Sequence, residues 1–247
     1  MQRKLLVIPF LLLSATLCRA DGIATLSYTG AGSNQIDGFW AYPYYATVDG
    51  ASPASMLCDD FTDQILPGYE WLASANALTP ANVENNDFLY SGSHTFGTGE
   101  TTAMPGSALQ AYDEAAYIFT GIVEGTIGNS EGNAAIWYLF SPTAAGSAVG
   151  GDTVARGILD QAYTSAQSDP SHDYSNITIY TPEPNGIISP TGTPGEGQEF
   201  LTITAGSSPE DLPGGAAPEP PPSLLLSAGA ALIGVVRLVR GKRLART

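Results

Sequence analysis

Ser107-Ala-Leu-Gln-Ala-Tyr-Asp-Glu-Ala-Ala-Tyr-Ile-Phe-Thr-Gly-Ile-Val123 decides the fold class, because it breaks the rhythm of the sequence before it. Leu109, Tyr112, Ala116 and Phe119 recur at helical spacing, which predicts a helix with one apolar face. Two more helical patterns follow: Asn133–Phe140, closed by Pro142, and Asp152–Ala166, opened by Asp152 and Thr153 as caps. Outward from these the period changes. Ile23–Thr29, Phe39–Val48, Ser55–Phe61 and Tyr69–Leu72 read as short strands before the helices, with Tyr174–Tyr180 and Glu199–Thr204 after them. Pro43 marks the aromatic run Phe39–Val48 as an edge or bent strand. The expected fold is α+β, a strand-rich domain with about three central helices; a strand-only sandwich is the alternative.

At 247 residues the chain has room for one such domain plus targeting segments. The domain is expected over 21–205. Gly, Pro, Ser and acidic residues over 206–217 leave almost nothing to bury and read as a linker. The loop 90–106 carries Gly92, Gly97, Gly99 and Gly106 but no Lys, and it does not join a strand to a helix. It reads as a mobile excursion and not as a phosphate cradle.

The first 20 residues follow the export pattern: Arg3 and Lys4, an apolar run from Leu5 to Leu13, then small residues at Cys18 and Ala20. Cleavage before Asp21 is expected. A lipoprotein anchor at Cys18 is the weaker reading, since Leu17 sits where a small residue normally precedes the acylated cysteine. At the other end, the uncharged run Ser223–Val236 is followed by Arg237, Arg240, Lys242, Arg243 and Arg246. Counted to Val239 the run gives about 16 residues, or about 24 Å of helix, against a hydrocarbon core of roughly 30 Å. Snorkelling by Arg237 and local thinning make a membrane helix over about 223–239 feasible, with the basic cluster in the cytoplasm.

Charge follows the same division. Residues 21–219 hold one cation, Arg156, against all 24 carboxylates, a net of −23. Such a surface repels phosphate backbones and anionic headgroups, so nucleic acid is excluded as a partner.

Pro218-Glu219-Pro220, an apolar helix containing Gly229, and the closing Arg/Lys cluster together resemble the PEP-CTERM sorting domain over residues 218–247. The resemblance implies export through the secretory translocon, cleavage by signal peptidase, and an inner-membrane precursor recognised by an exosortase near Pro218-Glu219-Pro220. It further implies transfer to the surface or extracellular matrix of a Gram-negative bacterium that makes exopolysaccharide.

Cys58 is the one cysteine left after signal removal, so it has no intramolecular disulfide partner. Met56-Leu57-Cys58-Asp59-Asp60-Phe61, then Tyr112-Asp113-Glu114-Ala115-Ala116-Tyr117, then Asn133-Ala134-Ala135-Ile136-Trp137 resemble in order the thioester domains of bacterial surface adhesins. There an early cysteine joins a glutamine just before an Ala-Ile-Trp segment, giving an electrophile that couples to amines. Asn133 stands in the glutamine's place here. The resemblance marks Cys58 and Asn133 as a reactive pair and makes a covalent adhesin one reading of function. Residue chemistry alone favours a small buried thiol, and the neighbouring Asp59 and Asp60 raise its pKa.

Trp40, Tyr42 and Tyr44 can form a sugar-stacking platform for a polysaccharide-binding module, although aromatic residues in a strand are commonly half buried. Asp59, Asp60 and Asp63 lack the calcium-loop pattern and read as a solvated surface, with calcium as the alternative. His94 and His172 are the only histidines, and no His-Glu-x-x-His helix occurs. No metal, cofactor or enzymatic activity is expected.

Overall fold

A computed structural model describes residues 22–52, 54–146, 152–189 and 197–203. The expected signal segment, linker, membrane helix and basic stop, and the Pro-Glu-Pro motif, all lie outside those residues. Among the described residues no helix is long and apolar enough to cross a membrane.

Six antiparallel strands close into a barrel: β1 (Gly22–Ala31), β4 (Tyr44–Val48), β5 (Ala54–Cys58), β8 (Phe200–Ile203), β7 (Ile177–Ser189) and β6 (Glu70–Ala77), in that order around the wall. Closure removes the free edges that an open sheet would expose. The strands β2 (Gln35–Ile36) and β3 (Phe39–Trp40) form a separate two-stranded ribbon. The sequence expectation of one strand over Phe39–Val48 is thereby corrected. The chain leaves the ribbon at Trp40, passes Pro43, and enters the barrel at Tyr44.

Between β6 and β7 lie α1 (Pro80–Glu84), α2 (Ala108–Val123), α3 (Asn129–Phe140), α4 (Pro142–Gly146) and α5 (Thr153–Ser168). Three of these match the predicted helices. Ser107 caps α2 by accepting from the Gln110 amide at 3.2 Å, and Asp152 caps α5 through the amides of Val154 and Ala155. The short α1 and α4 carry too few residues for periodicity to reveal them.

The two kinds of strand burial show where the helices lie. In β1 the residues Ala24, Leu26 and Tyr28 are buried while their neighbours are more open, the alternation of a one-sided wall. In β5, Met56, Leu57 and Cys58 are all buried, as are Ile177, Ile179 and Tyr180 of β7 and Phe200 and Leu201 of β8. Those strands are covered on both faces, inside by the barrel core and outside by helices. Tyr44 and Trp71 meet Phe200 at ring-centroid distances of 5.6 and 6.0 Å, so Phe200 points into the barrel. The opposite face, carrying Leu57 and Leu201, lies toward the helical layer.

The glycine-rich loop is tied to the helices along its length, and the expected mobile excursion is corrected by its contacts. The Gly97 amide donates to the Leu139 carbonyl at 2.7 Å, and the Asp160 carboxylate accepts from the amides of Glu100, Thr101 and Thr102. Arg156 reaches the Gly99 carbonyl at 2.7 Å. Gly97 is obligatory in this arrangement, because a Cβ there would lie 2.2 Å from the Tyr138 carbonyl oxygen.

Candidate functional site

The β5–β8 register builds the most unusual chemistry in the molecule. Leu57 pairs with Leu201 and Cys58 with Phe200; one step further the same antiparallel count sets Asp59 opposite Glu199. The β7–β8 register, which pairs Tyr180 with Phe200, sets Thr181 opposite Glu199 from the other side. Both carboxyls lie on the face covered by α2, and both are completely buried. Like charges directly opposite in a sheet repel, and burial multiplies the cost.

Hydrogen bonds decide which carboxyl keeps its charge. Glu199 accepts from the Tyr112 hydroxyl at 2.7 Å, the Leu89 amide at 2.8 Å and the Thr181 hydroxyl. These donors offset the burial that pushes its pKa up. Asp59 has no donor from the rest of the protein, and burial, then the Glu199 charge, drive its pKa well above the carboxylate range. Both effects favour the neutral acid at Asp59, beside a Glu199 whose charge three donors support.

Asp60 is the third buried acid. Its Oδ1 accepts from the Thr62 amide and hydroxyl, both at 2.8 Å, and from the Tyr90 hydroxyl at 3.3 Å, while burial raises its pKa. Asp59 and Asp60 thus depart from the expected solvated acidic surface. Among the described residues no group of three or more His, Cys, Asp or Glu is disposed to hold a metal ion.

Cys58 stands beside this cluster, and the structure brings Asn133 to it. Asn133 Nδ2 donates to the Cys58 carbonyl at 2.7 Å, and its Oδ1 accepts from the Tyr42 amide at 2.8 Å. The thiol itself donates to the Asp60 carbonyl at 3.1 Å. Burial, followed by the Asp60 and Asp59 carboxyls, holds the thiol pKa well above its ordinary value. The Trp137 indole N–H lies near enough to favour the thiolate slightly, though it forms no hydrogen bond. The arrangement keeps sulfur protonated and the amide anchored to backbone on both sides.

The three aromatics of the sugar-platform expectation part company. Trp40 is exposed; Tyr42 is half buried and meets Phe119 edge-on at 5.7 Å; Tyr44 is buried against Tyr28 and Phe200. They do not present three faces to one ligand. His94 is packed between Tyr90 and Phe96, with ring centroids 4.9 and 5.1 Å away, and one ring nitrogen meets the Phe140 carbonyl.

Sequence reasoning singled out Cys58, Asn133, Asp59 and Asp60 but missed Glu199, Tyr112 and Thr181 as their partners. The signal for Glu199 was its placement in an otherwise apolar strand, Glu199-Phe200-Leu201, where an acid facing the core needs a reason.

No family model matches this sequence, and no curated protein matches it. Among solved structures, the chain is similar to the N-terminal thioester domain of fibronectin-binding protein SfbI from Streptococcus pyogenes. The likeness spans 73% of this chain and 92% of that one at 8% identity, with a TM-score of 0.41. An overlap of that extent is one of outline, and no part of the site's chemistry rests on it.

Proposed function

We propose that this chain is an exported, surface-sorted, non-enzymatic protein of a Gram-negative bacterium, held first in the inner membrane and then transferred to the surface or the exopolysaccharide matrix. One observation carries the reading: residues 21–219 hold Arg156 as their sole cation against 24 carboxylates, while every other Lys and Arg sits in a terminal segment. That division matches a positive-inside arrangement in which both ends face the cytoplasm and the acidic part lies outside. The buried acid pair supports the non-enzymatic part. Asp59 and Glu199 are wholly enclosed, so no substrate reaches them without opening the fold.

The test is mass spectrometry of the protein released from producing cells. A mature N-terminus at Asp21 and a C-terminus upstream of Ser223 are expected. Recovery of the uncut chain from Met1 to Thr247 in the cytosol overturns the reading.

A second reading, a covalent adhesin, starts from the contact between the Asn133 side chain and the Cys58 backbone carbonyl. Acyl transfer from the Asn133 carboxamide to sulfur would form a thioester and release ammonia, with the thiol proton leaving on nitrogen. The protonated thiol and the doubly anchored amide favour a structural latch instead. Intact mass separates the two: a deficit of one ammonia that disappears on methylamine treatment establishes the adhesin, and the full mass establishes the latch.

A further inference from the structure

Asp169-Pro170 is the one Asp-Pro bond in the chain, and the protein folds a single turn around it. The helix α5 stops at Ser168, and Pro170, which has no amide hydrogen to continue it, leads the chain away. Within the turn the His172 amide donates to the Asp169 backbone carbonyl at 3.2 Å. The Asp169 side chain is held from the same direction: the Ser171 hydroxyl donates to Oδ1 at 3.2 Å, and the His172 ring nitrogen Nδ1 meets Oδ2 at 3.3 Å. The carboxyl and the carbonyl of one residue are therefore fixed by the residues just beyond the proline.

That juxtaposition has a chemistry of its own. A carboxylate one methylene away from a peptide carbonyl can attack it, and the attack goes forward when the leaving nitrogen takes up a proton. The proline nitrogen belongs to a tertiary amide and accepts that proton more readily than an ordinary peptide nitrogen. Holding nucleophile and carbonyl in one turn removes much of the entropic barrier to their reaction. The His172 amide already lies on the oxygen where negative charge collects as the carbonyl carbon becomes tetrahedral. The His172 imidazole supplies an acid at the same turn. Its ring is steadied by Tyr174 at a centroid distance of 4.4 Å, and it lies within electrostatic reach of Asp113 on α2 and of Asp173 as well as Asp169. Residues 169–173 are all exposed, so water has access to the bond.

We propose that the folded chain cuts itself once, at Asp169-Pro170, with the Asp169 carboxylate as nucleophile and His172 as the residue that polarises the carbonyl and supplies the proton. An Asp169 side-chain oxygen bonds to the carbon of the Asp169 backbone carbonyl. The bond from that carbon to the Pro170 nitrogen breaks, and its electron pair stays on the nitrogen, which takes up one proton and leaves as a secondary amine. The cyclic anhydride left on Asp169 then adds one water and opens to two carboxyl groups. Nothing is oxidised or reduced, one water is consumed, and the event has no turnover. Both pieces stay in one barrel, because β7 remains paired with β6 and β8 with β5. The scission requires only the folded domain, whatever becomes of the two ends of the chain.

The purified full-length chain, incubated in non-ionic detergent at about pH 5 and about pH 8, on either side of the ordinary imidazole value, and then resolved by denaturing electrophoresis and intact mass, tests this. Fragments ending at Asp169 and beginning at Pro170 are expected, accumulating faster in acid because the departing nitrogen needs a proton. Asp169→Asn keeps the shape of the side chain without its carboxylate and should stop the cut. His172→Ala should slow it at least about tenfold and flatten its pH dependence. These side chains are exposed, so an unchanged melting curve shows that each variant keeps the fold. Hydroxylamine present during the incubation should appear as a hydroxamate on the new C-terminal Asp169, the mark of an anhydride and not of a contaminating protease. Three results overturn the proposal: no fragments after several days in acid, an undiminished rate in either variant, or the same rate after unfolding in urea, which would mean only the ordinary acid lability of such a bond.

Discussion

Asn133 on α3 reaches back to the strand that carries Cys58 and donates its side-chain amide to that residue's carbonyl at 2.7 Å. The same side chain accepts the Tyr42 amide, so one carboxamide joins a helix, the end of β5 and the entry to β4. Asn133 and Cys58 are fully buried and Tyr42 is half buried.

Asn133→Ala takes away the side-chain partner of the buried Cys58 carbonyl and of the half-buried Tyr42 amide. At about 1–3 kcal/mol per stranded group, the loss should be about 3 kcal/mol. For a domain of this size that lowers Tm by about 6–12 °C. Thermal unfolding of the variant checks it, and a shift below about 2 °C would show that the latch contributes little.

Asp160 lies on the surface of α5, yet it gathers the loop 97–106 by accepting three successive amides, from Glu100, Thr101 and Thr102, together with the Thr102 hydroxyl. Burial is the largest single influence and raises its pKa, but the hydrogen bonds from Thr101 and Thr102 together outweigh it and hold the carboxyl below its ordinary value. Asp160→Ala should speed hydrogen exchange at residues 100–102 while the amides of α2 stay protected. A depressed carboxylate stabilises above its unfolded pKa, and that contribution fades as pH falls through the folded value. The exchange difference between variant and parent should therefore narrow in acid. Equal exchange at neutral pH would mean that the loop is held by other contacts.

The sequence made the local parts of this fold legible and left the closing contacts hidden. Tyr112 and Phe119 at helical spacing, Ser107 and Asp152 at helix starts, and alternation through Leu26 and Tyr28 are properties of neighbours along the chain. They were readable because each element repeats its own period. Barrel closure depends on β1 meeting both β4 and β6, and on β8 inserting between β5 and β7, pairings that no local pattern encodes. The acid pair was hidden for the same reason. Asp59 read as surface because an isolated carboxylate usually is, and its partner stands 140 positions away.

Glu114 gives the protein a stability that declines toward alkali. Burial pushes its pKa up to about 8, moderated by the Gln110 amide at 3.0 Å. Between the unfolded value of 4.5 and about 8 the folded chain retains a proton that the unfolded chain has released. Stability must therefore fall as pH rises across that window and level off above it. Asp113, raised by burial to about 6, adds to the fall over the lower part of the range. Denaturant midpoints should be higher at about pH 5 than at about pH 8, which lie close to the two ends of the window. Glu114→Gln should flatten the slope, and a parent midpoint that rises with pH would contradict the assignment.

The sharpest consequence concerns Asp59, because its role requires a donor and not a charge. Facing Glu199 across the β5–β8 ladder, it completes the glutamate's ring of donors only while protonated. Asn supplies an N–H at nearly the same place, at every pH and without charge. Asp59→Asn should therefore leave stability nearly unchanged in mild acid and raise it in alkali, where the parent must either ionise a second buried acid or hold a proton against the solvent. Asp59→Ala removes the donor as well as the proton, so it should destabilise at all pH values, by about 1–3 kcal/mol for the stranded carboxylate partner. The two variants move in opposite directions above neutrality only if the pair shares a proton. If Asp59→Asn instead weakened the fold as much as Asp59→Ala at high pH, the aspartate would have to be serving as an anion, and the charge assignment of the whole cluster would reverse.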